Sequence, residues 1–192
     1  MDWGSFSERL LPKVLKLAGL EHTLVSRNAA AKIITAAIIL AAEKKVLKST
    51  LLHPYMEICQ DSDVLLRKTA LSNLKLFLPK VEPSEVERLF FSELVMHLND
   101  PNGAIRLIII DVIVSFHQRF STQCLENDFV PVLIKEFEQG WKEPDHWLLQ
   151  NCAHAVNFLV IRKLLQDEHV PIINKFFDVI NLLKIIGRIM LA

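Results

Sequence analysis

Residues 61–74 read Asp61-Ser62-Asp63-Val64-Leu65-Leu66-Arg67-Lys68-Thr69-Ala70-Leu71-Ser72-Asn73-Leu74. A turn acid is followed six positions on by an arginine, and apolar residues stand three, four and seven places beyond that arginine. Side chains at this spacing share one face of an α-helix, and the Asp-Ser-Asp turn supplies oxygens that cap its first turn. The arrangement occurs twice more. Glu21 precedes Arg27, with Ala30, Ala31 and Ile34 behind it, and Asp100 precedes Arg106, with Ile109, Ile110 and Ile113 behind it. The three arginines are 40 and 39 residues apart, a period that marks one repeated supersecondary unit. A fourth copy aligns on Gln150, 44 residues after Arg106, with Trp147-Leu148-Leu149 where Val64-Leu65-Leu66 stands. Its arginine is lost, and His154 and Asn157 replace two of its apolar residues.

Ahead of each anchor lies another amphipathic stretch: Leu11, Val14 and Leu15; Leu51, Tyr55 and Ile58; Phe90, Leu94 and Val95; Val132, Leu133 and Phe137. Each unit therefore reads as a helical hairpin, with Asp61-Ser62-Asp63 and Asn99-Asp100-Pro101-Asn102-Gly103 as turns before the second helix. The units run over about 7–43, 46–80, 83–120 and 123–163, with a partial one at 165–192, in a single domain spanning 1–192. Two short helices cannot bury an apolar stripe on both sides, so each hairpin must stack on its neighbours.

A turn acid and a second-helix arginine six apart, in units of about 40 residues, resembles the HEAT repeat. Within that class, Leu11-Pro12, Val130-Pro131 and Val170-Pro171 at first-helix starts, with Asp100-Pro101-Asn102 and Ile105-Arg106, resemble the scaffold subunit of protein phosphatase 2A and related phosphatase regulatory subunits. The resemblance implies an all-α superhelix, a HEAT/armadillo-like solenoid of about four to five hairpins. It implies a ladder of acids and arginines between neighbouring repeats, to which Glu21, Asp61, Asp100, Arg27, Arg67 and Arg106 correspond by position. It also implies a ridge of turns that holds protein partners, a phosphatase catalytic subunit among them.

Composition narrows the function classes. The chain of 192 residues is 51% hydrophobic and 23% charged, too apolar for disorder, and its 22 basic and 22 acidic residues leave no global field to draw nucleic acid or an anionic membrane. Cys59, Cys124 and Cys152 form an odd, widely spaced set without a C-x-x-C pair, which reads as reduced thiols. The first residues carry Asp2 and Glu8 and no apolar block, so a secretory signal is not expected. A cytoplasmic location follows, with the nucleus as the alternative. The most membrane-like stretch, Ala29 to Ala42, contains Lys32, falls short of the roughly 20 residues that cross a bilayer, and reads as a buried helix.

No catalytic residue, cofactor site or metal site is expected. The seven histidines show no H-E-x-x-H spacing, His154 and Cys152 do not share a helical face, and five glycines supply no phosphate-cradling loop. The candidate contacts with partners are turn residues: Glu21, His22, Asp61, Asp63, Asp100, Asn102, Trp141 and Asp145. Trp141 stands out because tryptophan dominates many binding surfaces. Arg27, Arg67 and Arg106 take the structural role. The expected function is a non-catalytic scaffold or regulatory subunit. The alternatives are a helical-repeat nucleic-acid binder or enzyme, and a tubulin-binding or transport-type HEAT array. From Val170 onward the apolar residues spread around the helix with no polar capping face, which implies an end covered by a partner or by further repeats.

Overall fold

A computed structural model of the chain describes residues 3–19, 21–43, 49–140 and 146–190. Among the described residues there is no strand, and nine helices of seven residues or more carry the fold. They are α1 (Leu11–Leu17), α2 (Leu24–Glu43), α3 (Ser49–Cys59), α4 (Val64–Phe77), α5 (Pro83–His97), α6 (Gly103–Ser115), α7 (Val130–Gly140), α8 (His146–Ile161) and α9 (His169–Met190). The chain divides into two compact units, Met1–Val112 and Ile113–Ala192, with the division inside α6.

In the first unit α2 packs against α1, α3 and α4, and α3 packs against α4. The nine residues at three, four and seven places past the arginines are all buried, from Ala30 through Leu74 to Ile113. Tyr55 of α3 meets Phe77 of α4 edge-on at 5.2 Å, and Phe77 meets Phe90 of α5 at 5.6 Å, so one aromatic row links three helices. The Tyr55 hydroxyl donates to the Ala70 carbonyl. Burial pushes the phenol well above its ordinary range, so this donor stays protonated.

α2 differs from the sequence reading in length and in burial. It starts at Leu24 rather than Ala29 and runs 20 residues, long and apolar enough by length and composition to cross a bilayer. Only its inner face is covered: Ala30, Ala31, Ile34, Ile38 and Ala41 are buried, whereas Val25, Ile33 and Leu40 are exposed. The apolar run has two faces, and tertiary packing uses one.

Helix starts differ too. Pro12 and Pro131 sit one residue inside α1 and α7, but each helix is led by a π-turn, Phe6–Leu10 and Leu125–Phe129, and an earlier α-turn, Trp3–Ser5 and Thr122–Cys124. Proline lacks the N–H of an i→i−4 bond and its ring crowds the carbonyl at that position. The chain answers by widening: Leu11 donates to the Phe6 carbonyl and Val130 to that of Leu125, five residues back. The two prolines thus mark a bulge within a longer helical segment.

In the second unit α9 packs on α7, and Phe137 meets Phe176 at 5.1 Å while Phe129 meets Phe158 at 5.5 Å. Over the described part of α8, residues 152–161, Cys152, Ala155, Phe158 and Leu159 are buried, whereas Ala153, His154 and Asn157 face solvent. That stripe matches the other second helices when counted from Leu148, not Gln150. The fourth copy is therefore out of register by two residues in the sequence alignment, and the position of its missing arginine is taken by leucine.

α8 ends in a Schellman turn: Leu164 N donates to Leu159 O at 2.8 Å and Lys163 N to Val160 O at 3.0 Å. Lys163 holds φ at 56°, the left-handed conformation in which a Cβ is unfavourable. Lys163→Gly is expected to stabilise the chain by about 0.5–1 kcal/mol, read as a raised urea midpoint at unchanged m-value; a lower midpoint would show that the lysine side chain outweighs the strain.

Candidate partner-binding turns

Three turns of the first unit hold most of the residues singled out by sequence. In the α3–α4 turn, Asp63 caps α4 by accepting from Leu66 N at 3.0 Å, and Asp61 Oδ1 accepts from Asp63 N at 2.8 Å. The α5–α6 turn repeats the plan: Asp100 Oδ1 accepts from Asn102 N at 2.8 Å and Asn102 Oδ1 from Ala104 N at 3.0 Å. These short side chains fold the backbone back on itself and satisfy helix-end N–H groups.

The arginines bind in two directions. Arg67 Nη1 donates to its own turn, at the carbonyls of Asp61 (2.8 Å) and Ser62 (3.1 Å). Its Nε and Nη2 reach forward to the Asp100 carboxylate at 3.2 and 3.4 Å. Arg27 reaches forward in the same direction one hairpin earlier: Nη1 donates to the His22 carbonyl at 3.2 Å and Nη2 to Asp61 Oδ1 at 3.1 Å, while Nε lies 3.0 Å from Asp61 Oδ2 as an ion pair. Arg106 Nη1 donates to the carbonyls of Asp100 at 3.0 Å and Pro101 at 3.5 Å. Both pairs are charge-assisted, and that of Arg67 is bidentate; both are nearly closed to solvent, with side-chain exposures of 12% and 3% for Arg27 and Asp61 and 12% and 7% for Arg67 and Asp100.

This geometry gives Asp61 and Asp100 a framework role. Their carboxylates are turned inward, each holding an arginine and a backbone N–H. Asp63 and Asn102 are half-buried caps whose first duty is to their own helices. Glu21 is the exception among the turn acids: it is exposed, and its carboxylate lies 3.6 Å from His22 Nε2. The residues that the turns present outward are Glu21, Gln60, Ser62, Asn99 and Pro101. Trp141 and Asp145 lie outside the described residues.

A polar cluster that the sequence reading missed braces the second turn. Gln60 Nε2 donates to Glu93 Oε1 of α5 at 2.9 Å, and His97 Nε2, one turn further along α5, lies 3.3 Å from the same oxygen. Burial alone would raise the Glu93 carboxyl, but the hydrogen bonds from His97 and Gln60 and the His97 charge outweigh it and hold the group below its ordinary range. The four-residue spacing of Glu93 and His97 was the legible signal; their joint approach to Gln60 was not. Beside them the Cys59 thiol is fully buried and pushed well up, by burial first and by Glu93 second, which makes it inert. In the second unit His117 is held below its ordinary value by burial, then by the charges of Arg162 and His154. Among the described residues no three His, Cys, Asp or Glu side chains are placed to hold a metal ion.

Comparison with protein-family models and with characterised proteins gives no match, so the functional reading rests on this geometry.

Two outcomes follow from the turns. In a double-mutant cycle, Arg67→Ala and Asp100→Ala should each cost about 3 kcal/mol, because either leaves a desolvated charge, and the double variant should cost markedly less than their sum; additive losses in urea unfolding would show the pair to be uncoupled. Glu93 has a depressed folded-state pKa, so its contribution is present above the ordinary glutamate range and is lost as pH falls through the folded value. Glu93→Gln should therefore flatten the fall in stability below about pH 5; an unchanged acid limb would remove Glu93 from that role.

Proposed function

We propose that the chain is a HEAT-type solenoid that acts as a non-catalytic scaffold, holding protein partners along the ridge of its hairpin turns. The observation that carries this reading is the repeated forward reach of Arg27 to Asp61 and of Arg67 to Asp100, 34 and 33 residues on, each from one hairpin to the turn of the next. Identical ties between successive turns set those turns at a constant offset, as a stacked array requires. A surface built this way binds through many modest contacts, and small rotations between hairpins adjust its curvature. The outward residues of the ridge are Glu21, Gln60, Ser62, Asn99 and Pro101, with Trp141 and Asp145 placed on it by sequence. The resemblance to phosphatase scaffold and regulatory subunits makes a serine/threonine phosphatase catalytic subunit the partner to test first.

The experiment is an affinity capture from cell extract with the whole chain as bait, read by mass spectrometry, beside variants that alter the ridge without touching the ladder or the caps. Ser62→Arg with Asn99→Arg tests the described turns, and Trp141→Ala tests the fourth. Asp63→Ala is avoided, since loss of the cap would itself cost about 1 kcal/mol. A phosphatase catalytic subunit recovered with the native chain and lost from the ridge variants is the expected result. Recovery that is indifferent to the variants would overturn the ridge, and capture of nucleic acid in place of protein would overturn the scaffold reading.

A further inference from the structure

Leu24–Leu40 of α2 and the whole of α4 contain no aspartate or glutamate, and they carry five bases: Arg27, Lys32, Arg67, Lys68 and Lys75. Three are committed inside the fold, Arg27 to Asp61, Arg67 to Asp100 and Lys75 to Asp111. Lys32 and Lys68 are exposed and pair with no acid among the described residues. Around them the surface is apolar. On α2 the exposed positions Val25, Ala29, Ile33, Ala36 and Leu40 recur every three or four residues, one stripe along about 22 Å of helix. On α4, Leu65, Lys68, Ser72 and Leu76 do the same, with Val25 80% and Leu65 64% exposed. Between the two helices lies a groove of about 340 Å³, walled by Val25, Ala29 and Lys32 on one side and Leu65 and Thr69 on the other. The Asn28 amide oxygen in its wall is buried and accepts no hydrogen bond among the described residues.

We propose that this face docks an amphipathic helix of a partner protein, whose apolar side lies in the α2–α4 groove and whose flanking acidic residues meet Lys32 and Lys68. A groove between neighbouring helices accepts side chains at i, i+3/i+4 and i+7, the spacing of a single helix face. The charge selects the occupant. A second copy of this face would set Lys32 and Lys68 against lysines, which like-charge repulsion disfavours. An anionic bilayer calls for clusters of about four to eight bases and an apolar edge that protrudes into the lipid, whereas two uncommitted lysines flank a concavity here. The surface lies along the helices rather than on the turns, so the proposal stands apart from the ridge.

The test uses the whole chain and a fluorescein-labelled synthetic helix of 21 residues, leucine at i, i+3/i+4 and i+7 positions and glutamate on the flanks. Two controls accompany it: the same composition scrambled, and the same pattern with lysine for glutamate. Fluorescence anisotropy should show saturable binding of the glutamate helix in the micromolar range and at least tenfold weaker binding of both controls. Leu65→Glu and Val25→Glu should each weaken it at least tenfold; both side chains are exposed, so the fold is left intact, and circular dichroism checks this. Lys32→Glu with Lys68→Glu should reverse the preference toward the lysine helix, a readout that loss of folding cannot produce. Equal binding of patterned and scrambled peptides, or no binding, overturns the proposal. So does sedimentation of the native chain as a dimer that Leu65→Glu dissociates, which assigns the face to a second copy. Flotation with phosphatidylserine vesicles without peptide binding assigns it to a membrane and likewise overturns the proposal.

Discussion

A guanidinium that is almost closed to solvent has five donors to satisfy, and the hairpins of the first unit are arranged around that requirement. Arg67 meets it with two carbonyls of its own turn and both oxygens of the next turn's aspartate, and Arg27 donates to one carbonyl of its own turn and one oxygen of the next turn's aspartate. The aspartates are already shaped for the task, since Asp61 and Asp100 each hold a backbone N–H two residues on and so present a fixed carboxylate. Because both charges are desolvated, the pair adds less net stability than its contacts suggest, and its main consequence is geometric. Planar fork-to-carboxylate pairing tolerates little rotation, so it fixes where one turn stands relative to the next and leaves the apolar faces to fill the space between.

Those apolar faces were legible from sequence because helix periodicity is a local property. Ala30, Leu71 and Ile110 could be assigned to the interior by counting from an arginine, and they are buried. Counting failed where its anchor was absent. In α8 the alignment on Gln150 placed His154 and Asn157 on the inner face, while the structure buries Cys152, Ala155 and Phe158 and turns those two outward. The anchor that fits the buried stripe, Leu148, stands two residues before the one the alignment chose. In α2 the count from Arg27 found the covered face, but the apolar run continues onto the opposite face, where Val25, Ile33 and Leu40 are exposed, so apolar character by itself did not reveal burial.

The candidate site was less legible than the fold. Sequence identified the turns as the place where repeated polar residues gather, but the repetition itself had a structural cause. Asp61 and Asp100 recur together with the arginines that they hold. The outward residues, Gln60, Ser62 and Asn99 among them, follow no pattern from turn to turn. Binding residues in a repeat protein need only fit their own partner, whereas framework residues must fit every neighbour. Gln60, Glu93 and His97 show the same division: two belong to one helix and were separable by spacing, and the third joins them only through packing.

The π-turns ahead of Pro12 and Pro131 carry a consequence for how such a chain can change. A π-turn is the form a helix takes when it has accommodated one extra residue, and each residue inserted rotates the upstream segment by about 100° about the axis while the downstream segment keeps its place. Trp3–Ser5 and Thr122–Cys124 are thereby phased independently of α1 and α7. An insertion or deletion within 6–10, where no residue is buried, would re-aim the leading turn without disturbing the arginine register downstream, whereas Leu125 and Phe129 tie the second π-turn into the core. Pro12 thus gives the chain a place where length can change while the framework behind it stays constant.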